Sequence, residues 1–183
     1  TQLYHAKVQH LYDLHISKEQ LYEYDQNIMR HTKEINVNRN EKIQWKYYQY
    51  LSLLFTEVFL DKYFADRKAL LNDINEFQEN VFNFKPDTWH GVPPFEEDDL
   101  NKLAFWCATG SGKTLLMHVN IKQYLHYAAK YRAPKLNRII ILTPNEGLSK
   151  QHLQELYLSD MQAELFSKNS GRMFQGKTID SVT

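Results

Sequence analysis

Apolar positions recur at helical spacing through the first half of the chain. Residues 2–16 carry Leu3, Leu11 and Leu14 on roughly one face. Ser17-Lys18-Glu19-Gln20 then has the form of a capping box, which predicts a helix start. Leu21, Tyr24, Ile28, His31 and Ile35 continue that helix at a 3.6-residue period. An Asn-rich turn follows at 36–40, and a third helix over about 41–64 carries Ile43, Tyr47, Leu51, Leu54, Phe55, Val58 and Phe59. So many large apolar side chains predict a helix that is mostly buried. Asp66 can cap a fourth helix with Leu70, Leu71, Ile74 and Phe77, and the pattern dissolves over 83–94, where Pro86, Gly91, Pro93 and Pro94 mark a loop or boundary.

The period then changes. Leu103 to Cys107 reads as a short buried strand, and Arg138-Ile139-Ile140-Ile141-Leu142 is the β-branched run of a parallel strand covered on both faces. Between them a helix is predicted from Lys113 to about Tyr131. Another should follow Glu146 to about residue 160, with a further possible strand at 178–183. Strand, helix, strand, helix is the order of a parallel α/β architecture with right-handed crossovers. The expected organisation is a mainly helical region over 1–97 and an α/β domain over 98–183.

Composition adds little and charge distribution adds more. Of 183 residues, 43% are hydrophobic and 24% charged, and the formal net charge is zero. Residues 1–112 nevertheless carry 12 basic and 17 acidic side chains, and residues 113–183 carry 10 and 5. No acidic residue occurs from Leu100 to Asn145, whereas Lys102, Lys113, Lys122, Lys130, Arg132, Lys135 and Arg138 do. Such a segment suits phosphates, or forms solvated helix faces. Glu96-Glu97-Asp98-Asp99 reads as a turn and helix N-terminus rather than a metal site, since no His or Cys falls at ligand spacing. A lone cysteine, Cys107, fits a reducing, cytoplasmic compartment. No apolar run is long enough for a membrane span, and no secretory leader is visible.

The chemistry centres on Cys107-Ala108-Thr109-Gly110-Ser111-Gly112-Lys113-Thr114. Apart from Cys107 at its first position, this matches the phosphate-binding pattern G-x-x-x-x-G-K-[ST]. Gly110 and Gly112 let successive N–H groups curl inward, and the helix that follows adds its positive end. In that pattern Thr109 to Thr114 bind nucleotide. Lys113 reaches the β- and γ-phosphates of ATP, and Thr114 places its hydroxyl on Mg²⁺.

Ala108-Thr109-Gly110-Ser111-Gly112-Lys113-Thr114 resembles motif I of superfamily two helicases, and Arg138 to Gln151 resembles motif Ia. The likeness is to the DEAD/DEAH-type helicases grouped with the restriction subunits of type III restriction–modification enzymes. The resemblance implies the first part of a RecA-like ATPase domain with a parallel sheet, and Thr143, Pro144 and Asn145 touching the nucleic-acid backbone. An ordinary strand-to-helix connection also accounts for those three. The resemblance further implies an aromatic–Gln pair upstream of motif I whose Gln reads the adenine edge. Tyr47-Tyr48-Gln49 is the candidate, although Gln49 lies 64 residues before Lys113. A buried structural helix is the other reading of Gln49.

No apolar run ending in Asp-Glu follows Leu142, so the acidic half of a Mg²⁺–ATP site is expected elsewhere. The sequence is therefore read as the N-terminal fragment of a DNA helicase or translocase. Its partners would be DNA, the remaining helicase domains and restriction or phage-defence subunits. A P-loop nucleotide or small-molecule kinase, and a non-catalytic module retaining the loop, are the alternatives.

Overall fold

The computed structural model describes residues 16–82 and 93–165, and within them Ser17 opens the first helix as its sequence requires. The Ser17 hydroxyl accepts from the Gln20 N–H (3.1 Å) and the Gln20 side chain accepts from the Ser17 N–H (2.9 Å). Helix α1 then runs Lys18–Ile35 and buries Leu21, Tyr24, Ile28, His31 and Ile35, the positions its periodicity picks out. The expected helix over 2–16 lies outside the described residues.

Helix α2 spans Tyr47–Ala65 and starts later than its apolar pattern suggests, behind Lys46 in extended backbone. Its buried face also differs. Gln49, Tyr50, Leu53, Leu54, Thr56, Glu57, Leu60 and Asp61 face inward, while Tyr47 and Phe55 are exposed. Helix α3, Arg67–Phe82, begins where Asp66 Oδ1 accepts from the N–H groups of Lys68 and Ala69, both at 3.0 Å. The chain returns along it. Asn75 exchanges two hydrogen bonds with the Phe95 backbone, and Arg67 donates to the Glu97 carbonyl and to Asn101 Oδ1. The acidic cluster enters a single 3-10 turn, Glu97–Asn101.

Helices α4 (Lys113–Lys130) and α5 (Glu146–Leu158) complete the described elements. Helix α4 packs across α1 and α2 and shares one core with them. Leu116, Val119 and Tyr127 meet Leu21, Tyr24, Ile28, Leu53, Leu54 and Leu60. Burying acids inside this core needs donors, and tyrosines supply them. Tyr24 and Tyr131 donate to Asp61, both at 2.8 Å, Tyr127 donates to Glu57 at 2.5 Å, and Tyr50 donates to Asp25 at 2.9 Å. Burial works against charge on Asp61, but hydrogen bonds from Tyr131, Tyr24 and Lys130 outweigh it and hold its carboxyl below the usual range.

The expected parallel sheet is overturned. The described residues are helical apart from turns and unpaired segments, and they contain no strand. Residues 103–107 and 138–142, read as strands, form no ladder. Their side chains are not covered on two faces: Trp106 is 101% exposed, Leu142 91% and Ile140 75%. Local β-propensity favours extended backbone, but a strand exists only through hydrogen bonds to a neighbour, and among the described residues none pairs with these segments. Leu116 accordingly anchors α4 to helices rather than to a sheet. The possible strand at 178–183 falls outside the described residues. No described helix is long and apolar enough to cross a membrane.

Candidate functional site

The glycine-bearing turn lies between an unpaired segment and the start of α4. Ser111 N–H donates back to the Ala108 carbonyl at 3.2 Å, closing the turn. Gly110 (φ 76°) and Gly112 (φ 84°) both take the left-handed conformation, on either side of Ser111. Gly112 is the N-cap of α4 and brings no side-chain cap to it, so the helix opens with its first N–H groups uncapped by any side chain. Leu115 and Leu116 close the first intrahelical bonds onto the Gly112 carbonyl.

Lys113 is exposed and folds back onto its own loop. Its Nζ donates to the carbonyls of Ala108 (2.8 Å) and Cys107 (3.1 Å). A lysine held this way exchanges two carbonyl bonds for any ligand anion it meets. Thr114 follows, half-buried, at the edge of a cleft of about 680 Å³ walled chiefly by Leu60, Phe105, Met117, Tyr124 and Ile139. The loop offers backbone N–H groups, hydroxyls and an ammonium, a donor set that fits a polyphosphate. For a cation the motif points to the Thr114 hydroxyl, and among the described residues no three His, Cys, Asp or Glu side chains gather to hold a metal.

Gln49 is brought directly onto this loop. Its Nε2 donates to the Ser111 carbonyl at 2.7 Å, and its Oε1 accepts from the Lys46 N–H at 2.8 Å. Tyr48 Oη reaches the same Ser111 carbonyl at 3.5 Å. Gln49 is thus beside the glycine-bearing turn, 62 residues from Ser111 in the chain, with both ends of its amide engaged by backbone.

Thr143, Pro144 and Asn145 form the entry to α5. Asn145 Oδ1 accepts from the Leu148 N–H at 2.9 Å as the N-cap, and the Thr143 hydroxyl bonds the Asn145 carbonyl and Ser149 Oγ. The Thr143 and Asn145 side chains are committed to starting the helix. Asn145→Ala should therefore destabilise the chain by about 1 kcal/mol, the usual cost of a lost Asn cap. Urea denaturation against wild type measures this, and an unchanged midpoint would show that the cap contributes nothing.

The basic run from Lys102 to Arg138 is partly consumed inside the fold. Lys122 pairs with Glu34 at 3.0 Å, and Lys130 with Glu23 and Asp61, both at 3.1 Å. The opposed charges of the two halves of the chain meet across the α1–α2–α4 core. Sequence reading also missed a buried node joining α4, α5 and the turn after α1. Arg39 Nη2 donates to Glu155 Oε2 (2.9 Å) and to Ser159 Oγ (3.0 Å), and Ser159 Oγ meets His118 Nδ1 at 2.7 Å. His118 is fully buried, and burial lowers its pKa to about 4, so it stays neutral at physiological pH. Arg39 gave no signal because its partners in this node, Glu155 and Ser159, lie more than a hundred residues away.

With this geometry in place, comparison with known proteins gives one family. The family model described as the res subunit of type III restriction enzymes matches residues 65–181. The chain belongs to this family. The match begins at the last residue of α2, so in this Res-family chain α1 and the loop-facing start of α2 lie upstream of the matched span. It includes the phosphate-loop motif and the entry to α5. No curated protein and no solved structure matches the chain.

Proposed function

We propose that this chain is the ATP-binding N-terminal portion of a DNA helicase or translocase of the restriction or phage-defence type. The observation that carries the reading is the Gly110–Thr114 turn. Two left-handed glycines flank Ser111 and lead into a helix with no side-chain cap, inside a span that belongs to the Res family. Thr109 to Thr114 would hold the phosphates of ATP, with Lys113 leaving the Cys107 and Ala108 carbonyls to reach the β- and γ-oxygens. Mg²⁺, where it binds with the phosphates, would sit at the Thr114 hydroxyl and neutralise charge developing on them. Gln49 and its neighbouring tyrosines would meet the adenine, with Oε1 exchanging the Lys46 N–H for the base. Thr143, Pro144 and Asn145 would face the DNA backbone through the α5 N-terminus.

The described residues bring no acidic pair beside Lys113 and Thr114, so the polypeptide by itself should bind ATP and hydrolyse it slowly or not at all. Steady-state phosphate release with and without DNA tests this. Robust Lys113-dependent turnover would show that the catalytic set is already complete. DNA affinity measured across a salt series tests the nucleic-acid role, because phosphate contacts give a negative slope of log affinity against log salt. A flat, undetectable response would remove it.

A further inference from the structure

Gln49 does more at this loop than lie near it. Its amide is buried and held from both ends. The Lys46 N–H fixes Oε1, which leaves Nε2 aimed at the Ser111 carbonyl at 2.7 Å. The reverse amide orientation would set two acceptors against each other at that distance, so the bonding network defines the side chain's direction. Gly112 records how closely the two fit. A Cβ there would come within 2.6 Å of Gln49 Nε2, on a residue whose φ of 84° already disfavours any side chain.

The Ser111 carbonyl and the Gly112 N–H belong to one planar trans peptide, so they point in opposite directions. A donor that holds the carbonyl on the α2 side turns the Gly112 N–H away from α2. We infer that Gln49 is a positioning residue for the phosphate loop, setting the Ser111–Gly112 peptide so that the Gly112 N–H is presented to a bound phosphate. The inference rests on the phosphate-binding reading of the loop. It assigns to Gln49 an effect that does not depend on the base of the nucleotide.

Gln49→Glu isolates that effect. A glutamate can still accept from Lys46 N–H, so the start of α2 keeps its cap. Ionised, it sets an oxygen against the Ser111 carbonyl, and protonated it can donate again. Binding of inorganic tripolyphosphate, ATP and GTP to the whole chain is measured by calorimetry near neutral pH and near pH 5. In the variant the tripolyphosphate and GTP affinities should fall by a common factor of about ten near neutral pH, the scale of one lost hydrogen bond at a phosphate cradle, and the ATP affinity by at least that factor. They should recover toward the wild-type values at acid pH. Gln49→Met removes the donor without adding charge and should show the loss with no recovery. Circular dichroism verifies folding of both.

Variants that bind tripolyphosphate as wild type does, or that lose ATP while keeping tripolyphosphate and GTP, would overturn the inference. The second result would make Gln49 purely a reader of adenine. A wild-type chain that binds none of the three ligands would remove the phosphate site itself, and the inference with it.

Discussion

Lys113→Ala should lower the affinity of the chain for ATP by about 10- to 100-fold while leaving its fold intact. A charge-assisted hydrogen bond to phosphate contributes about 1.5–3 kcal/mol, and each 1.4 kcal/mol is a factor of ten. The lower bound matters because the lysine is not idle in the free chain. Its Nζ gives up two carbonyl bonds, to Cys107 and Ala108, before it can meet a phosphate. Both bonds lie at the exposed surface of the loop, where their exchange for water and phosphate is inexpensive. The side chain lies outside the hydrophobic core, so the melting temperature should change little. Nucleotide titration at fixed salt reads the affinity, and thermal unfolding reads the fold. Equal affinity in wild type and variant would favour a module that keeps the loop only as a fold element.

The same loop shows what the sequence could reveal about the site. The left-handed turn at Gly110 and Gly112 is legible because a tight turn is local: its geometry is set by consecutive residues, and consecutive residues are what a motif records. The Ser17 and Asp66 caps are legible for that reason also, and both bond three residues ahead. The sheet expected over 103–107 and 138–142 failed for the opposite reason. Apolar β-branched runs favour extended backbone, but pairing depends on a neighbour that periodicity cannot supply. The inward face of α2 was misjudged through hydrophobicity alone. Phe55 is exposed while Glu57 and Asp61 are buried, because tyrosines from α1 and α4 reach the acids across the core. Gln49 stands out in the sequence as the Gln of an aromatic–Gln pair or as part of a buried helix, but its hold on Ser111 depends on how α2 meets the loop before α4.

Glu57 is the buried acid on which the largest stability effect should appear. It is fully inaccessible at the centre of the α1–α2–α4 core. One carboxylate oxygen accepts from Tyr127 (2.5 Å) and from Asn27 (3.3 Å), while among the described residues Oε1 has no partner, and neither has Gln123 Oε1. Burial raises the pKa of Glu57 above its ordinary value, against the opposing pull of Tyr127, Gln123, Asn27 and Arg30. The folded chain therefore binds this proton more tightly than the unfolded chain. The group's stabilising contribution is complete below the unfolded pKa and is lost as pH rises through the folded one.

The substitution Glu57→Gln puts an amide in place of the acid. That amide is neutral at every pH and keeps an oxygen that can accept from the Tyr127 hydroxyl. Glu57→Gln should thus exceed wild type by about 1–3 kcal/mol near neutral pH, with the gap closing near the ordinary carboxylate pKa. Glu57→Ala should instead cost about 3–5 kcal/mol near the ordinary carboxylate pKa, and less near neutral pH by whatever wild type has lost on ionising, because it leaves a cavity and deprives the Tyr127 hydroxyl and Asn27 amide of their acceptor. For a chain of this size that is roughly 6–20 °C in melting temperature. Urea and thermal unfolding of the three proteins at both pH values decide the matter. A Glu57→Gln variant less stable than wild type by the same amount at both values would mean that Tyr127 and Asn27 hold the carboxylate charged, and that this core is organised around an anion rather than a neutral acid.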